Sequence, residues 1–76
     1  MNVIIAQSWK AFEWWCRKNG ADQRDRNQVI PLIQASDRYR LYGRNLSGWA
    51  VVTVGAIDNH NMTVFVETLK KQGVNI

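Results

Sequence analysis

The tightest constraint on this chain is a run with no polar residue in it, Val3-Ile4-Ile5-Ala6. A strand that is apolar on both faces must be covered on both faces, and parallel sheets flanked by helices provide that cover. Residues 2 to 7 therefore read as the first strand. A second apolar run, Val29-Ile30-Pro31-Leu32-Ile33, reads as the next. Pro31 supplies no N–H to a ladder, which confines that strand to a sheet edge or a bulge. Trp49-Ala50-Val51-Val52-Thr53-Val54 is β-branched and aromatic enough to be the third, stopping at Gly55.

Between the strands lie helical signals. Ser8 stands in an N-cap position and Asn19-Gly20 closes a helix over residues 8 to 19, Gly20 suiting the left-handed residue that ends one. At 100° per residue, Trp9, Ala11, Phe12, Trp15 and Cys16 fall on one side of it, and Lys10, Glu13, Arg17 and Lys18 on the other. Trp14 falls on the polar side. Residues 21 to 27 hold no apolar side chain larger than alanine and read as an exposed, mobile loop. Ser36 and Asp37 read as caps of a short helical turn through Leu41, ended by Gly43, with turn chemistry at residues 45 to 48. After a polar loop, Asp58-Asn59-His60-Asn61, the spacing of Met62, Phe65, Val66 and Leu69 predicts a last helix. Lys70 and Lys71 favour its C-terminal dipole, and Gly73 ends it.

Strand, helix, strand, short helix, strand, helix is the order of a parallel α/β sheet with right-handed crossovers. With Pro31 holding strand two at an edge and strand one buried on both faces, the expected fold is one α/β domain over residues 1 to 76. Its three-stranded parallel sheet has the order 2-1-3, a minimal half of a Rossmann-like fold. The alternative is an α+β sheet with one strand antiparallel. A chain this short buries only about 60% of the surface its unfolded form exposes, so one core must suffice. The 46% apolar share, with four Trp, supplies it.

Cys16 is the only cysteine. That rules out an internal disulfide and two-cysteine metal motifs within one chain, and it fits a reducing compartment. The first residues have neither a basic segment nor an apolar stretch long enough for a signal peptide or membrane span, so the expected location is cytoplasmic, with no membrane partner.

The net charge of +4 is localised. Residues 17 to 44 carry Arg17, Lys18, Arg24, Arg26, Arg38, Arg40 and Arg44 against Asp22, Asp25 and Asp37, while charges elsewhere cancel. Trp14, with Lys10, Arg17 and Lys18 three or four positions away, reads as an indole set among cations, a composition found at interface hot spots and at stacking platforms for unpaired bases. A contact between two copies of the chain is the alternative for the same indole. The stretch Arg38-Tyr39-Arg40-Leu41-Tyr42-Gly43-Arg44 interleaves cations with tyrosines, which suits phosphates or a partner's acidic surface.

Signals for catalysis are weak. Cys16, on the apolar side of its helix, and His60, in a loop beside Asp58, are the only thiol and imidazole and do not read as a nucleophile–base pair. A metal site lacks a third ligand. The first strand-to-helix turn, Ala6-Gln7-Ser8-Trp9, has no glycine to admit a diphosphate, and no phosphate-binding loop of the NTPase type occurs, so no cofactor is expected. A small polar ligand at the switch in strand order would meet Gln7, Ser8, Asp58 and His60, positions that also serve as ordinary helix caps and loop residues.

The pattern from the first strand to the third resembles that of small uncharacterised α/β proteins encoded by bacteriophages. It rests on the apolar strand at Val29, the Ser36-Asp37 start, the Arg40-Leu41-Tyr42-Gly43 turn and the Val51-Val52-Thr53-Val54-Gly55 strand. The resemblance implies a compact protein that occupies a surface on a host protein, and it transfers no site residue. The leading expectation is thus a non-catalytic protein-binding module, a phage-encoded modulator or inhibitor using Trp14 and its cations with residues 38 to 44 against an acidic host surface. The alternative is an accessory nucleic-acid binder stacking bases on Tyr39 and Tyr42.

Overall fold

The four apolar positions near the start of the chain become the middle of the sheet. In the computed structural model, which describes residues 1–76, β1 (Asn2–Ala6) lies between β2 (Val29–Leu32) and β3 (Ala50–Val54). All three strands are parallel, in the expected order β2-β1-β3. The register sets Ile4 opposite Pro31 on one side and Val52 on the other. Pro31 thus sits on an edge strand, where its missing N–H breaks no ladder bond.

Pleating sends alternate side chains of β1 to opposite faces and so splits the core in two. Val3 and Ile5 join Ile30, Leu32, Leu41, Leu46, Phe65, Leu69 and Val74 beneath a 3-10 helix (Ala35–Leu41) and α2 (Asn59–Lys71). Ile4 and Ala6 join Phe12, Cys16 and Val29 beneath α1 (Trp9–Asn19). The tail goes to the first of these cores through Val74, on the opposite face from Trp14.

Local chemistry explains the element ends. The Ser8 hydroxyl accepts the Ala11 N–H at 3.1 Å, and Gly20, at φ 66°, closes α1. Trp9, placed by the helical wheel on the buried side, is 43% exposed. Its ring tilts against Phe12 at 4.9 Å, but as the first helical residue it has no preceding turn to cover it.

Residues 21 to 27 form a tied turn rather than an open loop. Asp22 Oδ1 accepts the Arg24 N–H at 3.0 Å, Asp25 Oδ1 accepts the Asn27 N–H at 2.9 Å, and the Asp25 carbonyl accepts from both Gln28 and Val29. The 3-10 helix starts from Gln34, not Ser36, which is exposed. Asp37, its third residue, turns back so that Oδ2 accepts the N–H groups of Ile33 and Gln34, each at 2.9 Å.

The quartet Asp58 to Asn61 is the cap and opening of α2 rather than a loop: Asp58 Oδ1 accepts the Asn61 N–H at 2.9 Å. Apolar periodicity begins only at Met62 because this first turn overhangs the core. Phe65 and Leu69 are buried as expected, and Thr68 joins them with its hydroxyl satisfied by the Val64 carbonyl at 2.9 Å. No helix is long and apolar enough to cross a membrane.

Candidate functional site

Arginine 40 is held in place by two acceptors of different kinds. Its Nη1 donates to the Pro31 carbonyl at 3.2 Å and lies 2.9 Å from Asp37 Oδ1, so the guanidinium bridges the edge of β2 and the 3-10 helix. Arg44, just past the helix, donates from Nε to the Arg40 carbonyl at 3.0 Å and from Nη1 to the Arg26 carbonyl at 3.2 Å. Arg26 reaches in from the turn before β2, donating to the Gln23 carbonyl and lying over the Phe12 ring, its guanidinium carbon 6.0 Å from the centroid.

These three arginines, with Tyr39 and Tyr42, line an open cleft of about 340 Å³. Arg26 touches the α1 face through Phe12, whereas Leu41 anchors the other face, so the cleft sits where the two layers meet at the β2 edge. Tyr39 and Tyr42 are 60% and 56% exposed, and Arg40 lies over the Tyr39 ring at 5.3 Å.

Only one carboxylate, that of Asp37, forms an ion pair with any of these cations. Burial, and next the Arg40 guanidinium, pull the Arg26 pKa below its ordinary value, with Arg44 acting in the same direction. Arginine stays charged at neutral pH, so three guanidiniums with Asp37 as their one carboxylate partner leave the cleft net positive. Guanidiniums beside two exposed tyrosine rings suit carboxylates or phosphates presented next to a flat group.

The positions singled out from the sequence separate into several places. Tyr39, Arg40, Tyr42 and Arg44 converge in the cleft, while exposed Arg38 does not line it. Trp14 is 50% exposed on α1 with the Lys18 ammonium 5.8 Å from its ring, and Lys10 is exposed on the same helix. Arg17 lines another hollow, of about 450 Å³, with Glu13, Cys16, Ala21, Asp22, Gln23 and Arg24. Arg26, which completes the cleft, lies in the stretch that the sequence reads as an exposed loop. Its signal was the spacing Asp22-Gln23-Arg24 and Asp25-Arg26-Asn27, two successive turns in which the aspartate side chain bonds the backbone two residues on.

At the carboxyl ends of the strands, Gln7 and Asp58 line a hollow of about 220 Å³ with Ala6, Ile33, Ala56, Ile57 and Asn61, whereas Ser8 and His60 do not reach it. Both acceptors there already hold the fold together. Gln7 Oε1 takes the Ala56 N–H at 3.1 Å and Asp58 caps α2. No three of the His, Cys, Asp and Glu side chains gather closely enough to hold a metal ion.

Cys16 is 2% exposed, and burial, then the nearby Asp22 and Glu13 carboxylates, raise its thiol pKa against the opposing effect of Arg26. A thiol so placed is inert. Its alkylation by iodoacetamide at neutral pH is expected to be at least about tenfold slower in the native protein than in urea. Because the folded pKa is the higher one, the unfolded chain releases this proton first. The thiol therefore leaves stability unaffected below about pH 8.5 and lowers it as pH climbs from there through the folded value. Urea midpoints of wild type and Cys16→Ala between neutral pH and pH 10 separate that slope from the rest.

Comparison with known protein families, curated proteins and solved structures finds no match.

Proposed function

We propose that this protein is a non-catalytic binding module that receives an acidic segment of a partner protein in the cleft of Arg26, Arg40, Arg44, Tyr39 and Tyr42. On the phage resemblance, that partner is a host protein. The observation that carries the reading is the concentration of three guanidiniums, held by backbone carbonyls and paired with a single carboxylate, beside two exposed tyrosines. Arginine and tyrosine are the residues on which interface energy concentrates, and the positive field speeds encounter with an acidic surface. The localised shape favours a discrete acidic group over a long polyanion. Trp14, covered on one side by Lys18, supplies a second anchor for a partner large enough to extend onto α1.

The test is capture of partners from a bacterial lysate by the tagged protein, with and without nuclease, beside an Arg26→Ala/Arg44→Ala variant. One defined protein, retained after nuclease and lost with the two arginines, is the expected result. Each lost charged hydrogen bond removes about 1.5–3 kcal/mol, so the double change weakens the complex at least about a hundredfold. Unchanged retention by the variant overturns the assignment of the cleft.

A second reading rests on the exposure of Tyr39 and Tyr42, which gives two faces for unpaired bases beside the guanidiniums. It requires capture to vanish with nuclease and affinity to fall linearly with the logarithm of salt concentration.

A further inference from the structure

The two edges of the sheet are built differently. On β2, the Asn2 N–H donates to the Gln28 carbonyl at 2.9 Å, so residues 28, 30 and 32 turn their backbone groups toward β1 and residues 29 and 31 turn theirs outward. That outer side is closed except for the Val29 carbonyl. The Val29 N–H donates to the Asp25 carbonyl at 3.0 Å, Pro31 has no N–H, its carbonyl accepts from Arg40, and the next N–H, of Ile33, is taken by Asp37.

On β3, the Ala50 N–H donates to the Met1 carbonyl at 3.1 Å and the Val54 carbonyl accepts from Gln7 at 3.0 Å, so residues 50, 52 and 54 face β1. Val51 and Thr53 turn N–H and C=O outward, and no strand, side chain or loop meets them. The strand has no charge, proline or bulge, the devices that keep open edges from pairing. Val51, Val52 and Val54 are all half-buried.

We infer that β3 pairs antiparallel with β3 of a second copy of this chain, forming a continuous six-stranded sheet about a two-fold axis at Val52. The edge is complementary to itself in that register. Val51 and Thr53 of one copy exchange N–H···O bonds with Thr53 and Val51 of the other, making four bonds in all. The two Val52 residues then form the close pair between them. The three central facing pairs, Val51 with Thr53, Val52 with Val52 and Thr53 with Val51, are all β-branched, a combination that packs well across strands, and Ala50 faces Val54 at either end.

An uncharged strand offers nothing to pair with the charges of an acidic or basic partner, so a second copy of the same neutral edge is the occupant that fits. The seam is neutral, and the basic clefts lie at the far β2 edges. Five inter-strand steps separate those edges, about 24 Å at 4.8 Å each. That exceeds the physiological screening length of about 8 Å, so the charges of the two clefts do not oppose assembly. The dimer presents two clefts at the ends of one sheet. The inference itself does not depend on what the clefts bind.

The experiment is light scattering on gel-filtered wild type and Thr53→Pro across the micromolar range, with amide exchange on the wild type. Proline at 53 removes only an outward N–H and leaves the β1 ladder intact. Wild type is expected at twice the 8.8 kDa chain mass, with Thr53→Pro at the single-chain mass and an unchanged circular dichroism spectrum. In the unaltered protein, exchange of the Val51 and Thr53 amides slows as concentration rises. That readout stands even if the variant does not fold. A monomeric wild type, a dimeric Thr53→Pro, or exchange independent of concentration overturns the inference.

Discussion

Phe12→Ala is expected to remove about 3–5 kcal/mol of folding stability, the range for emptying a fully enclosed aromatic site. Phe12 is completely buried, projects from α1 into the core with Ile4, Ala6, Cys16 and Val29, and carries Trp9 on one side and the Arg26 guanidinium on another. A chain of 76 residues at about 0.05–0.15 kcal/mol per residue has about 4–11 kcal/mol in total. The variant therefore loses from about a quarter of its stability to all of it. Urea titration followed by tryptophan emission measures this, because Trp9 loses the ring it packs on. A loss below about 1 kcal/mol would mean that α1 settles onto the sheet and refills the site. Phe12→Leu separates the two roles of the ring: most of the volume stays, while the aromatic face under Arg26 is gone, so cleft binding weakens more than the fold does.

Much of this architecture is written in local chemistry. β1 reads as central because an uninterrupted apolar tetrad fits no other position in a small sheet, and Pro31 marks an edge because of what it lacks. Ser8 and Gly20 delimit α1 for equally direct reasons. The less legible parts are those where a polar residue takes its place from something distant in sequence. Arg26 looks like one cation among several in a polar stretch, and only the fold brings it over Phe12 and beside Arg44. Leu46, inside a segment read as turn chemistry, is almost fully buried because that turn folds under the C-terminal end of α2, where the Leu46 N–H meets the Gln72 carbonyl at 2.9 Å. Trp9 shows the opposite failure: the wheel gives the side on which its ring meets Phe12 but not that the ring stays 43% exposed. The cleft is half legible, since Tyr39, Arg40, Tyr42 and Arg44 are close in sequence, while Trp14, expected to act with them, belongs to a separate surface on α1.

Leu41→Ala is expected to cost about 2–5 kcal/mol and to disable the cleft, although Leu41 touches no ligand. The 3-10 helix has poorer hydrogen-bond geometry than an α-helix and does not stand alone. Leu41 is its one buried side chain, inserted among Val3, Ile5, Phe65 and Leu69, and Tyr39, Arg40, Tyr42 and Arg44 are all strung within three residues of it. Removing that anchor frees the segment that spaces the guanidiniums. Tyr39→Ala makes the contrast: its ring is mostly exposed, so stability should change by no more than about 0.5 kcal/mol while affinity for the captured partner falls. Urea midpoints and partner affinities for the two variants decide the matter together. Loss of both quantities in Leu41→Ala, and of affinity alone in Tyr39→Ala, places the binding chemistry on a segment held by one leucine. Full affinity in Leu41→Ala would instead show that the bonds from Arg40 to Pro31, Arg44 to Arg26 and Ile33 to Asp37 suffice to hold the site without it.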